Sequence, residues 1–445
     1  MIEICAVGGY NEVGKNMTAV KVDDDVVILD MGLHLESYIK YTEDEDIKSI
    51  SPKELLKVGA IPNDSAIDDW KDKVKAIIPT HAHLDHVGAL IFLAKKYKAP
   101  ILATPFTTEV IKTISRDEKI KIKNEIKTLC SNSVYQINDN LKIEFINMTH
   151  STPQTVMVAL HTRYGIVLYA NDFKFDNNPI IGKKPNYKKL EEIGKKGVAS
   201  LICDCTRANN PVKTPSEAVA REMLRDVLLG TDSTGKAIIV TTFSSHLARL
   251  KSIIDFGRRM DRKIVFLGRS LAKYVNAAEK IGIVDFSKKV DIVKYGSKIK
   301  RKLKSIEREG SGKYLLVVTG HQGEPQSTLA KMVDKELEFK FKPEDHIIFS
   351  CTVIPSPVNI SNRKVLEQKL KDKHVRIFRD IHQSGHAARE DLRDLINMTK
   401  PKNIIPAHGN DEMKGALVDL AVEKGYNLKK DIFLMNDGDK IKLIS

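Results

Sequence analysis

Apolar and polar positions alternate through the first 32 residues, with Asp23-Asp24-Asp25 between two apolar runs. A period of two marks half-buried strands, and the three aspartates predict a turn joining them. Short apolar runs recur at Val74–Pro79, Leu141–Met148, Ile166–Tyr169 and Leu201–Cys205, and Val87–Tyr97 reads as a helix among them. This mixture predicts sheets with helices packed outside. From about residue 210 the pattern changes. Thr214-Pro215-Ser216-Glu217 predicts a helix start, with Thr214 as cap and proline in the first turn. Strands are then expected over Ala237–Thr242, Lys263–Leu267, Tyr314–Thr319 and His346–Cys351, alternating with helices over Ser245–Arg259 and Leu271–Ile281. Such alternation predicts a parallel sheet. Near residue 375 a third segment begins, with strands at Val375–Phe378 and Asn403–Pro406. Helices are expected at Glu390–Thr399 and after Asp411, and a closing hairpin around Asn436-Asp437-Gly438. The expected divisions are 1–209, 210–374 and 375–445.

Length and composition sharpen this picture. A chain of 445 residues exceeds one ordinary core, and 42% hydrophobic residues suit folded domains. No apolar run approaches the roughly 20 residues that span a bilayer, so no membrane partner is expected. The N-terminus carries charge early and lacks a secretory pattern, so a cytoplasmic chain is expected. The five cysteines are mostly far apart, which argues against a disulfide framework. Cys203 and Cys205, with no second such pair, make a poor zinc site. The formal charge is +14, from 72 Lys and Arg against 58 Asp and Glu. That excess favours a polyanionic partner, or reflects only a solvated lysine-rich surface.

Thr80-His81-Ala82-His83-Leu84-Asp85-His86 follows the apolar strand at Ala76, Ile77 and Ile78 and precedes a helix. Three imidazoles and one carboxylate in six residues, on a loop leaving a strand, suit a zinc site. Four local ligands cannot complete two metal sites, so distant strand ends must contribute. His150, Asp172 and His408 each stand where a loop leaves an expected strand. Each alone reads equally as a turn residue; together they complete a two-metal count.

His81-Ala82-His83-Leu84-Asp85-His86 resembles the signature of the metallo-β-lactamase superfamily. His150 and Asp172 resemble its later metal motifs, and Asp30 its first motif, whose aspartate supports the ligand loop. Cys203-Asp204-Cys205-Thr206, His382-Gln383-Ser384-Gly385-His386-Ala387 and Pro406-Ala407-His408-Gly409 resemble motifs of the β-CASP nucleases. Gly8-Gly9-Tyr10-Asn11-Glu12-Val13-Gly14-Lys15-Asn16, Gly268-Arg269-Ser270 and Thr319-Gly320-His321-Gln322-Gly323-Glu324-Pro325 resemble the ribonuclease J family. His321 and Cys205 stand where serine is common in it. The chain stops 37 residues after His408, which resembles the shorter archaeal form of that family.

The resemblance implies an α/β fold: an αββα metallo-β-lactamase sandwich with an inserted α/β β-CASP domain. It implies zinc-dependent cleavage of RNA, 5′-to-3′ from monophosphorylated ends, with endonuclease activity as a further possibility. His81, His83, His150 and Asp172 would hold one Zn2+; Asp85, His86, Asp172 and His408 would hold the second. Mn2+ could replace zinc at nitrogen and oxygen ligands. Asp85 counts in the catalytic set as well, with His386 as proton donor to the leaving oxygen and Asp204 orienting it. A turn carboxylate at Asp204 and a structural histidine at His386 stand as the alternatives. His382, Ser384 and Gly385, with Arg269, Ser244 and Ser245, would bind a terminal phosphate; both serines read equally as helix caps. The basic run Lys298–Lys304 reads first as a solvated helix face. A homodimer is the family expectation. Two rivals stand beside the ribonuclease: a DNA or ester hydrolase of the same superfamily, and an inactive RNA-binding subunit.

Overall fold

A computed structural model describes residues 1–42 and 51–443. The chain divides into two compact units: residues 1–177, 182–214 and 385–445 form the first, and 178–181 with 215–384 the second.

The first unit holds two sheets. One has seven strands in the order Lys440–Leu443, Ile2–Gly8, Met17–Val22, Asp25–Leu29, Val74–Ile78, Ile101–Ala103, Ile126–Thr128. The other has six: Ile404–Ala407, Val198–Asp204, Gly165–Ala170, Val156–Thr162, Leu141–Asn147, Val134–Asn138. Alternate residues of the facing strands fill one core, including Ile4, Val20, Val27 and Ile78 from one sheet and Phe145, Val158 and Tyr169 from the other. The outer face of the six-stranded sheet is covered by Tyr187–Lys196, Arg389–Thr399 and Asp411–Glu423, through Leu190, Leu392, Leu395 and Leu417. This is the layered sandwich implied by the resemblance.

Strand direction places the site. Asp25–Leu29 runs parallel to Val74–Ile78, so both carboxyl ends fall on one edge. In the second sheet Gly165–Ala170, Val198–Asp204 and Ile404–Ala407 are parallel. Leu141–Asn147 is antiparallel to Val156–Thr162, itself antiparallel to Gly165–Ala170, and so shares their direction. Every loop that carries an expected ligand from this sheet leaves from the same edge.

Several expectations are corrected. The helix Val87–Tyr97 is broken into Leu84–Val87, Leu90–Leu93 and a 3-10 turn at Ala94–Lys96. A continuous helix needs the carbonyls of Asp85 and His86 as acceptors. They are taken instead by the Asn16 and Met31 amides, and Ala89 donates to the Met31 carbonyl. The closing hairpin is a turn whose outgoing strand, Lys440–Leu443, pairs with Ile2–Gly8.

The second unit is one six-stranded parallel sheet, ordered Asp291–Val293, Lys263–Leu267, Tyr314–Val318, Ile238–Thr241, His346–Phe349, Arg376–Phe378. Helices Gly296–Glu309, Thr328–Val333 and Pro357–Lys371 cover one face through Leu303, Met332 and Leu366. The return to the first unit falls at Gly385, not at 375, because Arg376–Phe378 pairs with His346–Phe349 in this sheet. Entry falls after Thr214 rather than at 210. The first helix, Glu217–Gly230, is capped by Ser216 and not by Thr214. Thr214 is occupied elsewhere: its hydroxyl donates to the His386 carbonyl and accepts from the Ala388 amide.

Candidate metal centre

The site lies wholly in the first unit. Asp30, Asp172 and His408 each adopt left-handed backbone, with φ of 59°, 45° and 59°. Non-glycine residues hold that conformation at a cost, and it turns each side chain off its strand end toward the shared edge. Gly32 lets the support loop close: a Cβ there would lie 1.6 Å from the Asp85 carbonyl oxygen.

Two ligand groups result. His81, His83, His150 and Asp172 form one, and Asp85, His86, Asp172 and His408 the other, each offering atoms within 4.8 Å of one another. Asp172 belongs to both. Its Oδ2 faces His81 Nε2 and His150 Nε2, both at 3.4 Å. Its Oδ1 faces His86 Nε2 at 3.3 Å and His408 Nε2 at 3.4 Å. Oδ1 is buried without a hydrogen-bond partner. A buried orphan carboxylate oxygen is costly unless something positive meets it.

The outward imidazole nitrogens are already engaged. His86 Nδ1 meets Asp30 Oδ2 at 2.8 Å, and His150 Nδ1 meets the Gly385 carbonyl at 2.8 Å. His408 Nδ1 meets Asn16 Oδ1 at 2.7 Å. His81 Nδ1 lies 3.1 Å from the Thr80 hydroxyl, whose proton goes to Asp30. Such acceptors fix the N–H on Nδ1 and leave the Nε2 lone pair facing inward. His83 is reversed: its Nδ1 sits 3.0 Å from His81 Nε2 and 3.1 Å from His150 Nε2. Burial lowers the pKa of His81, and of His83 and His150 further, so all three imidazoles stand neutral, as ligands must. Burial would raise Asp85 and Asp172, but His86 and His408 outweigh it and hold both carboxylates ionised. His86 is raised well above its ordinary value: burial opposes this, but Asp172, Asp30 and Asp85 surround it, and a bound cation would displace its Nε2 proton and free that lone pair. Paired nitrogen and carboxylate donors with inward lone pairs fit divalent ions of the zinc type.

A third group adjoins these. His386 Nδ1 meets Asp204 Oδ2 at 2.9 Å, and its Nε2 lies 3.9 Å from Asp172 Oδ2. Asp204 Oδ1 accepts from the Thr206 amide, as in a turn, while Oδ2 holds the histidine. Burial would lower His386, yet Asp172 and Asp204 raise it to about 9.

The metallo-β-lactamase superfamily model matches residues 10–193. A model described as "Ribonuclease J, beta-CASP domain" matches 235–367. One described as "Zn-dependent metallo-hydrolase RNA specificity domain" matches 374–434. Ribonuclease J of Methanocaldococcus jannaschii is 44% identical over 438 residues, covering 98% of each chain. The chain belongs to the ribonuclease J family. Ribonuclease J of Pyrococcus abyssi is 42% identical, covering all of this chain and 97% of the relative. Ribonuclease J 2 of Staphylococcus saprophyticus is 30% identical over 99% of this chain and 74% of its own length. A crystal structure of a protein of unknown function from Enterococcus faecalis V583 shares the fold, with a TM-score of 0.63, 16% identity and 99% of each chain covered.

The phosphate-binding set expected from the ribonuclease J resemblance is only partly gathered. In the second unit the Ser244 and Ser270 hydroxyls lie 3.0 Å apart. Phe243 packs against His321 with the rings tilted by 60° and centroids at 4.2 Å, and approaches His382 at 6.3 Å. Arg269 is exposed at the start of its helix, and Ser245 is buried. Neither Ser244 nor Ser245 is a cap, since the helix Leu247–Arg259 begins after His246. Ser384 ends the second unit and Gly385 reopens the first, where its carbonyl holds His150. The basic run lies on the helix Gly296–Glu309, where Lys300 and Lys304 pair with Glu338 and Lys302 with Asp291. Cys203 and Cys205 are buried thiols, raised by that burial and by Asp204, and no metal-competent cluster among the described residues includes either.

Three supporting residues escaped the sequence reading. Thr80 precedes the histidine run, Tyr169 donates to Asp30 at 3.0 Å, and Asn16 contacts His408. Only Asn16 carried a signal, closing a glycine-rich run that resembles the family.

Proposed function

We propose that the chain is a zinc-dependent ribonuclease of two ions per chain that degrades RNA 5′-to-3′ from monophosphorylated ends. Family membership supplies the reaction class. The observation that carries the two-ion reading is Asp172, which turns one carboxylate oxygen to each ligand group.

Bound divalent ions would activate a water and neutralise charge growing on the phosphate oxygens, and Mn2+ could serve at the same donors. Asp30 and Thr80 hold His81 and His86 in the tautomer that presents Nε2. His386, protonated at neutral pH, places its Nε2 proton beside Asp172, where a departing 3′ oxygen can take it. Asp204 orients that ring through Nδ1. In the second unit, the Ser244 and Ser270 hydroxyls and the ring cluster of Phe243, His321 and His382 offer donors and a stacking face for a nucleotide end.

RNA carrying 5′-monophosphate, 5′-triphosphate or 5′-hydroxyl ends tests the reading, with DNA and nitrophenyl esters beside it. Mononucleotides released fastest from the monophosphate are expected. Internal fragments regardless of the end would make it an endonuclease, and turnover of DNA or ester alone would refute the ribonuclease. The homodimer is tested by light scattering. No helix among the described residues is long and apolar enough to cross a membrane.

A further inference from the structure

Asn16 is 2% exposed, and all four of its polar atoms are engaged, three of them at the second ligand group. Its backbone amide and side-chain Nδ2 both donate to the Asp85 carbonyl, each at 3.1 Å. Nδ2 also lies 3.1 Å from His86 Nε2. Oδ1 accepts from His408 Nδ1 at 2.7 Å, and its own carbonyl accepts from Gly32. Three of the four residues of that group, Asp85, His86 and His408, therefore touch one side chain.

The chain order makes this contact useful. Asp85 and His86 sit on a loop of the seven-stranded sheet, and His408 follows an edge strand of the other sheet, 322 residues after His86. The loop ending at Asn16 grips His408 twice, since the Gly9 carbonyl also accepts the His408 amide at 2.7 Å. Gly9 has φ +84°, and a Cβ there would lie 2.6 Å from Asn16 Oδ1, so the approach needs glycine. An amide oxygen only accepts, so His408 carries its proton on Nδ1 and turns the Nε2 lone pair inward. With an ion at His86 Nε2, the amide keeps the Asp85 carbonyl as its acceptor.

We propose that Asn16 is a positioning residue that sets affinity for the second metal ion by fixing the tautomer and place of His408 against Asp85 and His86. This rests on the two-ion reading above. Bound metal is counted for the wild type, Asn16→Ala and Asn16→Asp across graded zinc buffers, by elemental analysis and by the absorption of cobalt-substituted protein. The wild type should hold two ions. Asn16→Ala should keep the first and bind the second roughly 10–100-fold more weakly, as outer partners of ligands do, and added zinc should restore its cleavage. Asn16→Asp, which keeps the acceptor for His408, should retain the second ion. Both ions held by Asn16→Ala at wild-type affinity, or both lost together, would overturn the proposal. A wild type holding fewer than two ions would sink the two-ion reading itself and is recognised without any variant. Should Asn16→Ala not fold, histidine 15N NMR of the zinc-loaded wild type carries the test. A Nδ1–H tautomer at His408 supports the proposal, and Nε2–H overturns it.

Discussion

At the scale of the residue, the site is a lesson in which nitrogen is left over. His81, His86, His150 and His408 each give Nδ1 to an oxygen and point Nε2 at a carboxylate. The histidine-rich run itself was legible, because so many imidazoles at a strand end have no structural use. Of the acceptors, Asp30 was legible through its resemblance to a support motif, whereas the roles of Thr80, Asn16 and the Gly385 carbonyl were not, because which polar group meets a ring nitrogen is decided by tertiary contact. His386 yields a prediction at this scale. Its folded pKa, raised to about 9 by Asp172 and Asp204 against the pull of burial, means that it is protonated at neutral pH. Its attraction to those carboxylates is fully present below the ordinary histidine value and is lost as pH rises through about 9. Bound cations share the Asp172 charge, so the alkaline limb of single-turnover cleavage should fall between those two values. Asp204→Asn should move that limb downward, and His386→Ala should slow cleavage by about 10²–10⁴-fold. An unmoved limb would remove His386 from proton transfer.

At the scale of the element, hydrogen bonds from outside the element decide its bounds. The segment after His86 has helical periodicity, yet breaks because Asn16 and Met31 take the carbonyls that the next turn needs. A one-dimensional pattern cannot reveal such a competitor. The strand Arg376–Phe378 was legible as a strand but not as the last of the inserted sheet, because pairing partners are not written in periodicity. In that unit, Arg249 is fully buried and joins the helices Glu217–Gly230 and Leu247–Arg259 to the segment before His382. It makes two bonds to Glu217 and further bonds to Ser350 and the Ile381 carbonyl. Burial would raise the Glu217 carboxyl, but His246 and Arg249 hold it well below its ordinary value. Its contribution is therefore present above the ordinary glutamate range and is lost as pH falls below it. Glu217→Gln should destabilise the protein by about 3–5 kcal/mol, as does removal of one partner from a buried pair. Urea unfolding at neutral and acid pH checks this; the difference between variant and wild type should shrink in acid.

At the scale of the whole molecule, the ordering of motifs along the chain was legible, and so was the expectation that they converge, but not the path that brings them together. His86 and His408 are brought to 5.3 Å between ring centroids by a topology that runs out through a second unit and back. Loops leaving one edge of each sheet made that convergence an expectation, and strand direction gives its cause. The formal charge of +14 belongs to this scale too. Much of the basic run at Lys298–Lys304 is spent on Glu338 and Asp291, so it says little about RNA. The overall excess still predicts that RNA affinity falls linearly in log–log terms with added salt, with a slope of about −0.7 per phosphate neutralised on a single strand. Filter binding with chelator present, so that no cleavage intervenes, measures that slope; a flat response would deny a phosphate-led contact. The account's central claim is that two divalent ions sit on either side of Asp172. Anomalous diffraction at the zinc edge, from crystals of the protein purified without chelator, tests it most directly. Two peaks are predicted, one among His81, His83 and His150 and one among Asp85, His86 and His408, with an Asp172 oxygen toward each. Peaks elsewhere, or none at Asp172 with zinc supplied, would contradict it.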